Sequence, residues 1–222
     1  MAETLSVAVC LFPNVTSLDY QGPVELFGFL TPDRSQKHLP SNPTITFKLT
    51  YLSHTLDPIK PLSGPTLLPD LTYNSIITDG IQYDILLVPG GPEAQPDLVP
   101  PDLIDFLKRQ IPKARYVLSI CTGSWILAGT GFLDGKRATT NKASFTMCKK
   151  ATSEKINWVA EARWVEDGKL WTSSGVTAGA DMANAFLTHL VGDEIMTAVR
   201  GIVELSARKE NQDEFAKYYG LV

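Results

Sequence analysis

The chain has 222 residues, of which 44% are hydrophobic and 20% are charged, and its formal net charge at pH 7 is −4. This length is sufficient for one large domain with a sizeable apolar core. The mildly acidic balance, with basic residues such as Lys108–Arg109 in isolated pairs and not in a stripe, argues against nucleic-acid binding. No stretch approaches the roughly 18 apolar residues of a membrane span, and the short N-terminal apolar run lacks the basic flank of a signal or transit peptide.

The first half of the chain alternates apolar runs with helical patterns. Strands are predicted where apolar residues alternate or run together, and a helix where they recur at helical spacing. These rules give strands at 6–12, 46–53 and 84–91, and a helix near 23–30. Proline and serine residues between 31 and 43 indicate a surface excursion.

The second half continues the alternation of helices and strands. The pattern predicts helices at 102–110, 122–131, 178–190 and 193–205, a strand at 116–120 and a hairpin at 163–174. Asp167-Gly168 at the tip is a strong hairpin signal. We therefore expect residues 1–222 to form a single α/β domain, with a mostly parallel sheet covered by helices on both faces.

Cysteine and histidine are few and widely separated. The chain has three of each, namely Cys10, Cys121 and Cys148, and His38, His54 and His189. An odd number of distant cysteines defines no disulfide framework, and scattered histidines offer no metal-ligand set. We expect no metal or other cofactor, and a reducing cytoplasmic location in which the reactivity of each cysteine is the question.

Cys121 occupies a position that favours chemistry. A predicted strand runs directly into it and a helix follows at once, which is the strained elbow of many nucleophiles. We expect the N–H groups at the helix start to lower the pKa of the thiol, and the N–H groups of Thr122 and Gly91 to stabilise negative charge on a substrate. The alternative is a buried structural cysteine, which we expect for Cys10 and Cys148.

Four segments together resemble the DJ-1/PfpI superfamily, whose fold is flavodoxin-like: LDYQGPVELFG (18–28), LLVPGGPEA (86–94), SICTGSWILAGTGFLDGKRATTN (119–141) and SSGVTAGADMANAFL (173–187). They are most similar to the isocyanide (isonitrile) hydratase branch. The resemblance implies a homodimer that acts on a small molecule, without nucleic acid or membrane. It implies Cys121 as nucleophile, Asp19 as its acidic partner, and Thr122 and Asp181 as supporting residues. Oxyanion or substrate-binding roles would fall to Gly90, Gly91, Thr122 and Trp125.

Several of these assignments have alternatives. Asp19 could be a helix N-cap, Asp181 and Thr122 could be ordinary residues of helix starts, and Trp125 could belong to the core. Glu25 could face the site or solvent. Protease-like and many glyoxalase-like relatives have histidine directly after the cysteine, where this chain has Thr122, and Asn141-Lys142 replace a histidine and an aromatic residue found in many relatives.

The missing histidine favours chemistry that needs no strong base. We therefore expect a cofactor-independent cysteine hydratase that converts an isocyanide to an N-substituted formamide through a thioimidate on Cys121. The alternatives are a redox-sensing or stress-protective protein with an oxidisable cysteine, and a glyoxalase-like enzyme that hydrates α-ketoaldehydes.

Overall fold

The computed structural model describes residues 2–222, except the side chains of residues 36–38. Seven strands form one sheet in the order β3-β2-β1-β4-β5-β9-β8. They are β1 (Glu3–Cys10), β2 (Ile45–Ser53), β3 (Leu71–Thr72), β4 (Ile85–Val88), β5 (Tyr116–Ser119), β8 (Trp164–Asp167) and β9 (Leu170–Ser173). All neighbouring pairs are parallel except β8 and β9. A second, two-stranded sheet pairs β6 (Arg137–Ala138) with β7 (Asn157–Trp158).

Helices surround the large sheet. They are α1 (Ser17–Gly28), α2 (Pro32–His38), α3 (Tyr73–Thr78), α4 (Pro101–Gln110), α5 (Gly123–Ala128), α6 (Phe145–Ala151), α7 (Val176–Val191), α8 (Asp193–Val203) and α9 (Phe215–Tyr218). The long helix α7 packs against α1, α8 and strand β9, while α3, α4 and α5 pack together. The predicted mostly parallel α/β sandwich is therefore confirmed. None of the helices described is long and apolar enough to cross a membrane.

The strand order places the site. Without the short β3 and the antiparallel β8, the order of the five parallel strands is the flavodoxin-like 2-1-3-4-5. Its switch point lies between β1 and β4, and ligands of such sheets bind beyond the carboxyl ends of the strands there. Every residue of β4 and β9 is buried, which explains why these strands are continuous apolar or small-residue runs.

Two predictions about the first 45 residues were wrong in detail. The surface excursion contains helix α2, which starts at Pro32, a residue suited to a first helical turn. Helix α1 begins at Ser17, so Pro23 lies inside it and does not mark its start. The tip of the hairpin was predicted correctly: Gly168 has a φ of 61° between β8 and β9.

Candidate active site

Cys121 lies at the elbow between β5 and α5. Its φ is 57°, in the left-handed region that costs a residue with a Cβ about 1–2 kcal/mol. The surroundings hold it there, because its N–H donates to the carbonyl of Ser174 at 2.9 Å and the N–H of Ile120 donates to that of Val88 at 3.0 Å. The side chain is 6% exposed. The predicted elbow is therefore present.

Two glycines let the loops after β4 and β5 meet at the elbow. A Cβ on Gly123 would lie 2.1 Å from the carbonyl oxygen of Val88, and one on Gly90 would lie 2.6 Å from the backbone nitrogen of Thr122. Real Cβ atoms do not approach backbone this closely, so only glycine fits at these positions. Gly90-Gly91 and Cys121-Thr122 therefore lie next to each other.

Asp19 is completely buried in the first turn of α1. Thr16 and not Asp19 is the N-cap residue, so the capping alternative was wrong. The N–H of Gly90 donates to Asp19 Oδ2 at 3.0 Å, while Oδ1 has no hydrogen-bond partner among the described residues. Burial raises the pKa of the carboxyl from 3.8 to about 7, against the opposing effects of the Gly90 N–H and the nearby Cys121 thiol.

The expected lowering of the Cys121 pKa is wrong for the unliganded protein. Burial and the negative charge of Asp19 raise the pKa of the thiol to about 12. Hydrogen bonds from Asn141 and Thr122 act in the opposite direction but are weaker. Helix α5 has only six residues, and its start does not outweigh desolvation. Cys121 and Asp19 thus form a coupled pair that holds one proton above about pH 7.

Asn141 is the site residue whose role the sequence did not indicate. Its side-chain Nδ2 donates to Cys121 Sγ at 3.2 Å, and its Oδ1 accepts from the N–H of Ala143 at 2.9 Å. The second bond fixes the amide so that its NH₂ group points at sulfur. Position 141 had been noted only as a departure from relatives with histidine. The amide can stabilise negative charge on the sulfur, but it cannot act as a base at neutral pH.

The structure gives the predicted oxyanion donors different partners. The N–H of Gly91 donates to Thr122 Oγ1 at 3.0 Å, and that hydroxyl donates to the carbonyl of Gly91 at 2.9 Å. The N–H of Gly90 is used by Asp19. Neither glycine therefore offers a free N–H group, and their expected role as donors is not supported. The backbone N–H of Thr122 lowers the pKa of the Cys121 thiol, by less than burial raises it, and its role as an oxyanion donor stays a prediction.

Asp181 has contacts other than those expected. It is buried, its Oδ2 accepts from Arg163 Nε at 2.6 Å, and its Oδ1 accepts from the N–H of Arg208 at 3.0 Å. Both carboxyl oxygens of Asp181 therefore bond to Arg163 and Arg208 and not to Cys121 or Asp19. The expected support of the nucleophile by Asp181 is not seen as a direct contact. Glu25 is exposed on α1. The pKa of Tyr51 on β2 is raised mainly by burial, and the charge of Glu25 adds a small contribution.

A cavity of about 240 Å³ lies near the elbow, although neither Cys121 nor Asp19 is among the residues that line it. Asn141 and Ser174, which both bond to Cys121, line it together with the start of α7. Trp125, which is 5% exposed within α5, is also not among the lining residues, and its contact with substrate stays a prediction. Apart from residues 1 and 36–38, no group of three His, Cys, Asp or Glu side chains could hold a metal ion.

The sheet order and the elbow cysteine define an α/β protein of flavodoxin-like fold with a cysteine at the position of a nucleophile. Residues 5–189 match the sequence model of the DJ-1/PfpI family. The chain belongs to this family.

Individual relatives agree with that assignment. Isonitrile hydratase of Pseudomonas putida is 35% identical over 188 residues, which cover 85% of this chain and 73% of that protein. Protein DJ-1alpha of Drosophila melanogaster is 27% identical over 147 residues, 66% of this chain and 65% of that protein. The crystal structure of a ThiJ/PfpI family protein from Pseudomonas syringae superposes with a TM-score of 0.72 at 23% identity, covering 93% of this chain and 77% of that one.

Proposed function

We propose that this protein is a cofactor-independent hydratase that adds water to an isocyanide and releases an N-substituted formamide. The observation that carries the proposal is the coupled pair of Cys121 and Asp19: a buried carboxyl with a pKa near 7 and one free oxygen beside a cysteine at an elbow. Such a carboxyl can give and take a proton at neutral pH. The 35% identity to an isonitrile hydratase supports the same chemistry.

The first step forms the covalent intermediate. The proton of the pair moves to Asp19, which leaves Cys121 as thiolate stabilised by Asn141 Nδ2 and the N–H of Thr122. The sulfur attacks the terminal carbon of the isocyanide, and Asp19 donates its proton to that carbon. The product is a thioimidate, in which the carbon is bonded to sulfur and doubly bonded to nitrogen, and Asp19 is a carboxylate.

The second step releases the product. Water adds across the carbon–nitrogen double bond, with Asp19 taking a proton from the water and returning one to the nitrogen. The hydroxyl proton of the resulting adduct passes to Asp19 as the carbon–sulfur bond breaks. The formamide leaves a thiolate and a carboxylic acid, and return of the proton from Asp19 to the sulfur restores the resting pair. One water is consumed, and neither step needs a base stronger than a carboxylate.

The redox alternative requires the same two side chains but has weaker support. Oxidation of a cysteine depends on thiolate character and exposure, and Cys121 is 6% exposed with a raised pKa. The similarity to protein DJ-1alpha, 27% identity, is lower than that to isonitrile hydratase, 35%. A glyoxalase-like reaction lacks the histidine that would act as base at position 122.

Hydration of an aryl isocyanide, followed as formamide release, tests the proposal. We expect turnover by the wild type, none by Cys121→Ala, and a loss of at least about 100-fold in Asp19→Asn, since general acid catalysis contributes about 10²–10⁴-fold. Cys148→Ala is the matched control, because Cys148 is also a buried cysteine with a raised pKa. Absence of formamide with the wild type, or full turnover by Cys121→Ala, would remove the hydratase proposal.

We further propose that the protein acts as a homodimer, as the family resemblance implies. The apolar side chains of Ile195, Met196 and Val199 on α8 are buried in the core, so that helix keeps only Ile202 (47% exposed) for another chain. Leu18 on α1 is 49% exposed and lines a second cavity together with Asp181 and Phe215. Sedimentation at micromolar concentration is expected to give twice the mass of the chain; the mass of a single chain would contradict the dimer.

A further inference from the structure

The cavity near the elbow has its outer wall in the last part of the chain. We call residues 206–222 the C-terminal segment. Phe215, at the start of α9, and Tyr219, just after its end, both line the cavity, opposite Val176 and Ala178 of α7. Phe215 and Tyr219 are 45% and 47% exposed. Two aromatic side chains from a segment far from Cys121 in sequence thus line the same cavity as Asn141, which donates a hydrogen bond to the Cys121 sulfur.

The C-terminal segment is held in place by contacts with buried groups that surround the cavity. Three contacts tie it down, namely Arg208 N–H to Asp181 Oδ1 at 3.0 Å, Arg163 N–H to the carbonyl of Glu210 at 2.7 Å, and Lys142 Nζ to Asp213 Oδ2 at 3.2 Å. Lys142 and Arg163 themselves line the cavity. The positions of Phe215 and Tyr219 are therefore set by contacts of their segment with residues that also line the cavity.

Charge in this region is balanced internally. Lys142 pairs with Asp213, and Arg163 pairs with Asp181; the side chains of all four are at most 6% exposed. Each cation is already compensated, so neither is available for an anionic group on a ligand. A charged ligand group would lose its hydration without gaining a partner, which is costly.

We infer that the C-terminal segment determines substrate specificity, with Phe215 and Tyr219 selecting a neutral, apolar substituent on the substrate. The cavity of about 240 Å³ is smaller than the roughly 300–1,000 Å³ of pockets for drug-sized ligands. It suits one small ring or a branched alkyl group. This assignment deepens the proposed function and rests on it: the substrates would be isocyanides with a compact apolar substituent, in preference to those carrying a carboxylate or a very small group.

Turnover of three isocyanides tests the assignment: cyclohexyl, methyl and carboxymethyl. We expect the wild type to prefer the cyclohexyl compound. Phe215→Ala and Tyr219→Ala should each lower the ratio of kcat/KM for cyclohexyl over methyl about fivefold, or about 1 kcal/mol, because about 40 Å² less apolar surface of the ring would be buried at about 25 cal/mol per Å². The change should lie in KM for the cyclohexyl compound. Tyr218→Ala is the matched control, since Tyr218 belongs to the same helix but is 76% exposed and does not line the cavity.

A second measurement separates failure of this assignment from failure of the hydratase proposal. Labelling of Cys121 by N-cyclohexylmaleimide and by N-methylmaleimide, quantified by mass spectrometry, needs no turnover. We expect the cyclohexyl-over-methyl preference to fall about fivefold in Phe215→Ala and Tyr219→Ala and to stay at the wild-type value in Tyr218→Ala. Equal preferences in all four proteins would overturn the assignment even if isocyanides are hydrated. Lack of isocyanide hydration together with the expected labelling pattern would remove the hydratase proposal, while the selection of apolar groups by Phe215 and Tyr219 would stand.

Discussion

Replacing Asp19 by asparagine should make the protein more stable at alkaline pH while it removes the proposed acid. The pKa of Asp19 is raised from 3.8 to about 7 by burial, so between these values the folded protein keeps a proton that the unfolded chain has lost. Where the folded state binds more protons, the free energy of unfolding falls as pH rises. The wild type is therefore destabilised by this group above about pH 7, and the effect disappears below about pH 4.

The magnitude follows from the same pKa values. The interval from 3.8 to about 7, at about 1.4 kcal/mol per pH unit, corresponds to about 4 kcal/mol. Asparagine is neutral at all these pH values and can still accept the hydrogen bond from the N–H of Gly90. Its NH₂ group would take the place of the unpartnered Oδ1, and an unsatisfied buried group costs about 1–3 kcal/mol. That cost does not depend on pH, so the change with pH isolates the carboxyl.

Urea unfolding of wild type and Asp19→Asn at pH 4.5 and pH 8 measures this effect. The difference in free energy of unfolding, variant minus wild type, should rise by about 3–4 kcal/mol between the two pH values. Glu25→Gln is the matched control, because Glu25 is an exposed carboxylate on the same helix, and its difference should change by less than about 0.5 kcal/mol. A difference for Asp19→Asn that is independent of pH would show that the carboxyl titrates normally, and would refute the argument from burial.

Three further predictions concern the elbow. First, kcat/KM for an isocyanide should rise with pH through about 7 and then stay level, because Cys121 and Asp19 must lose one of their two protons before a thiolate can form. A value of kcat/KM that falls through this pH range would exclude the coupled pair as the reacting group. Second, Asn141→Ala should slow alkylation of Cys121 by iodoacetamide at pH 8 about tenfold, since it removes a hydrogen bond to the charged form of the sulfur. An unchanged rate of alkylation would show that the Asn141 amide does not stabilise the thiolate. Third, Gly123→Ala should lower the midpoint of urea unfolding strongly or prevent folding, because the alanine Cβ would lie 2.1 Å from the backbone oxygen of Val88. Wild-type stability of this variant would contradict the close packing of the loops after β4 and β5.

Much of the fold could be predicted because its signals are local. The buried strands β4 and β5 are apolar runs bounded by turns, and the hairpin of β8 and β9 has Asp167-Gly168 at its tip. The short strands β3, β6 and β7 have only two residues each. Strands of that length carry no periodicity, and their pairing depends on distant parts of the chain. Helix α1 was placed too late because Pro23 is a frequent start signal and here lies inside the helix.

The candidate site could be predicted only in part, for a similar reason. Cys121 comes just after a parallel strand, at the edge of the sheet where ligand sites of such sheets lie, whereas Asp19 was assigned from the family resemblance. The contact of Asn141 with the sulfur joins residues 20 apart across a loop, and no local pattern in the sequence specifies it. The pairing of Asp181 with Arg163 and the position of Phe215 at the cavity also arise from long-range packing. The pKa of Cys121 was predicted in the wrong direction because its burial was not known.

The direct test of the account is mass spectrometry of the protein quenched within its first turnovers of an aryl isocyanide. We predict a covalent adduct on Cys121 whose added mass equals that of the intact isocyanide, since the thioimidate retains all its atoms and the proton comes from within the pair. Cys121→Ala should show no adduct and no formamide. Formamide released by the wild type without any adduct on Cys121, or an adduct on Cys10 or Cys148 instead, would contradict the proposed role of Cys121.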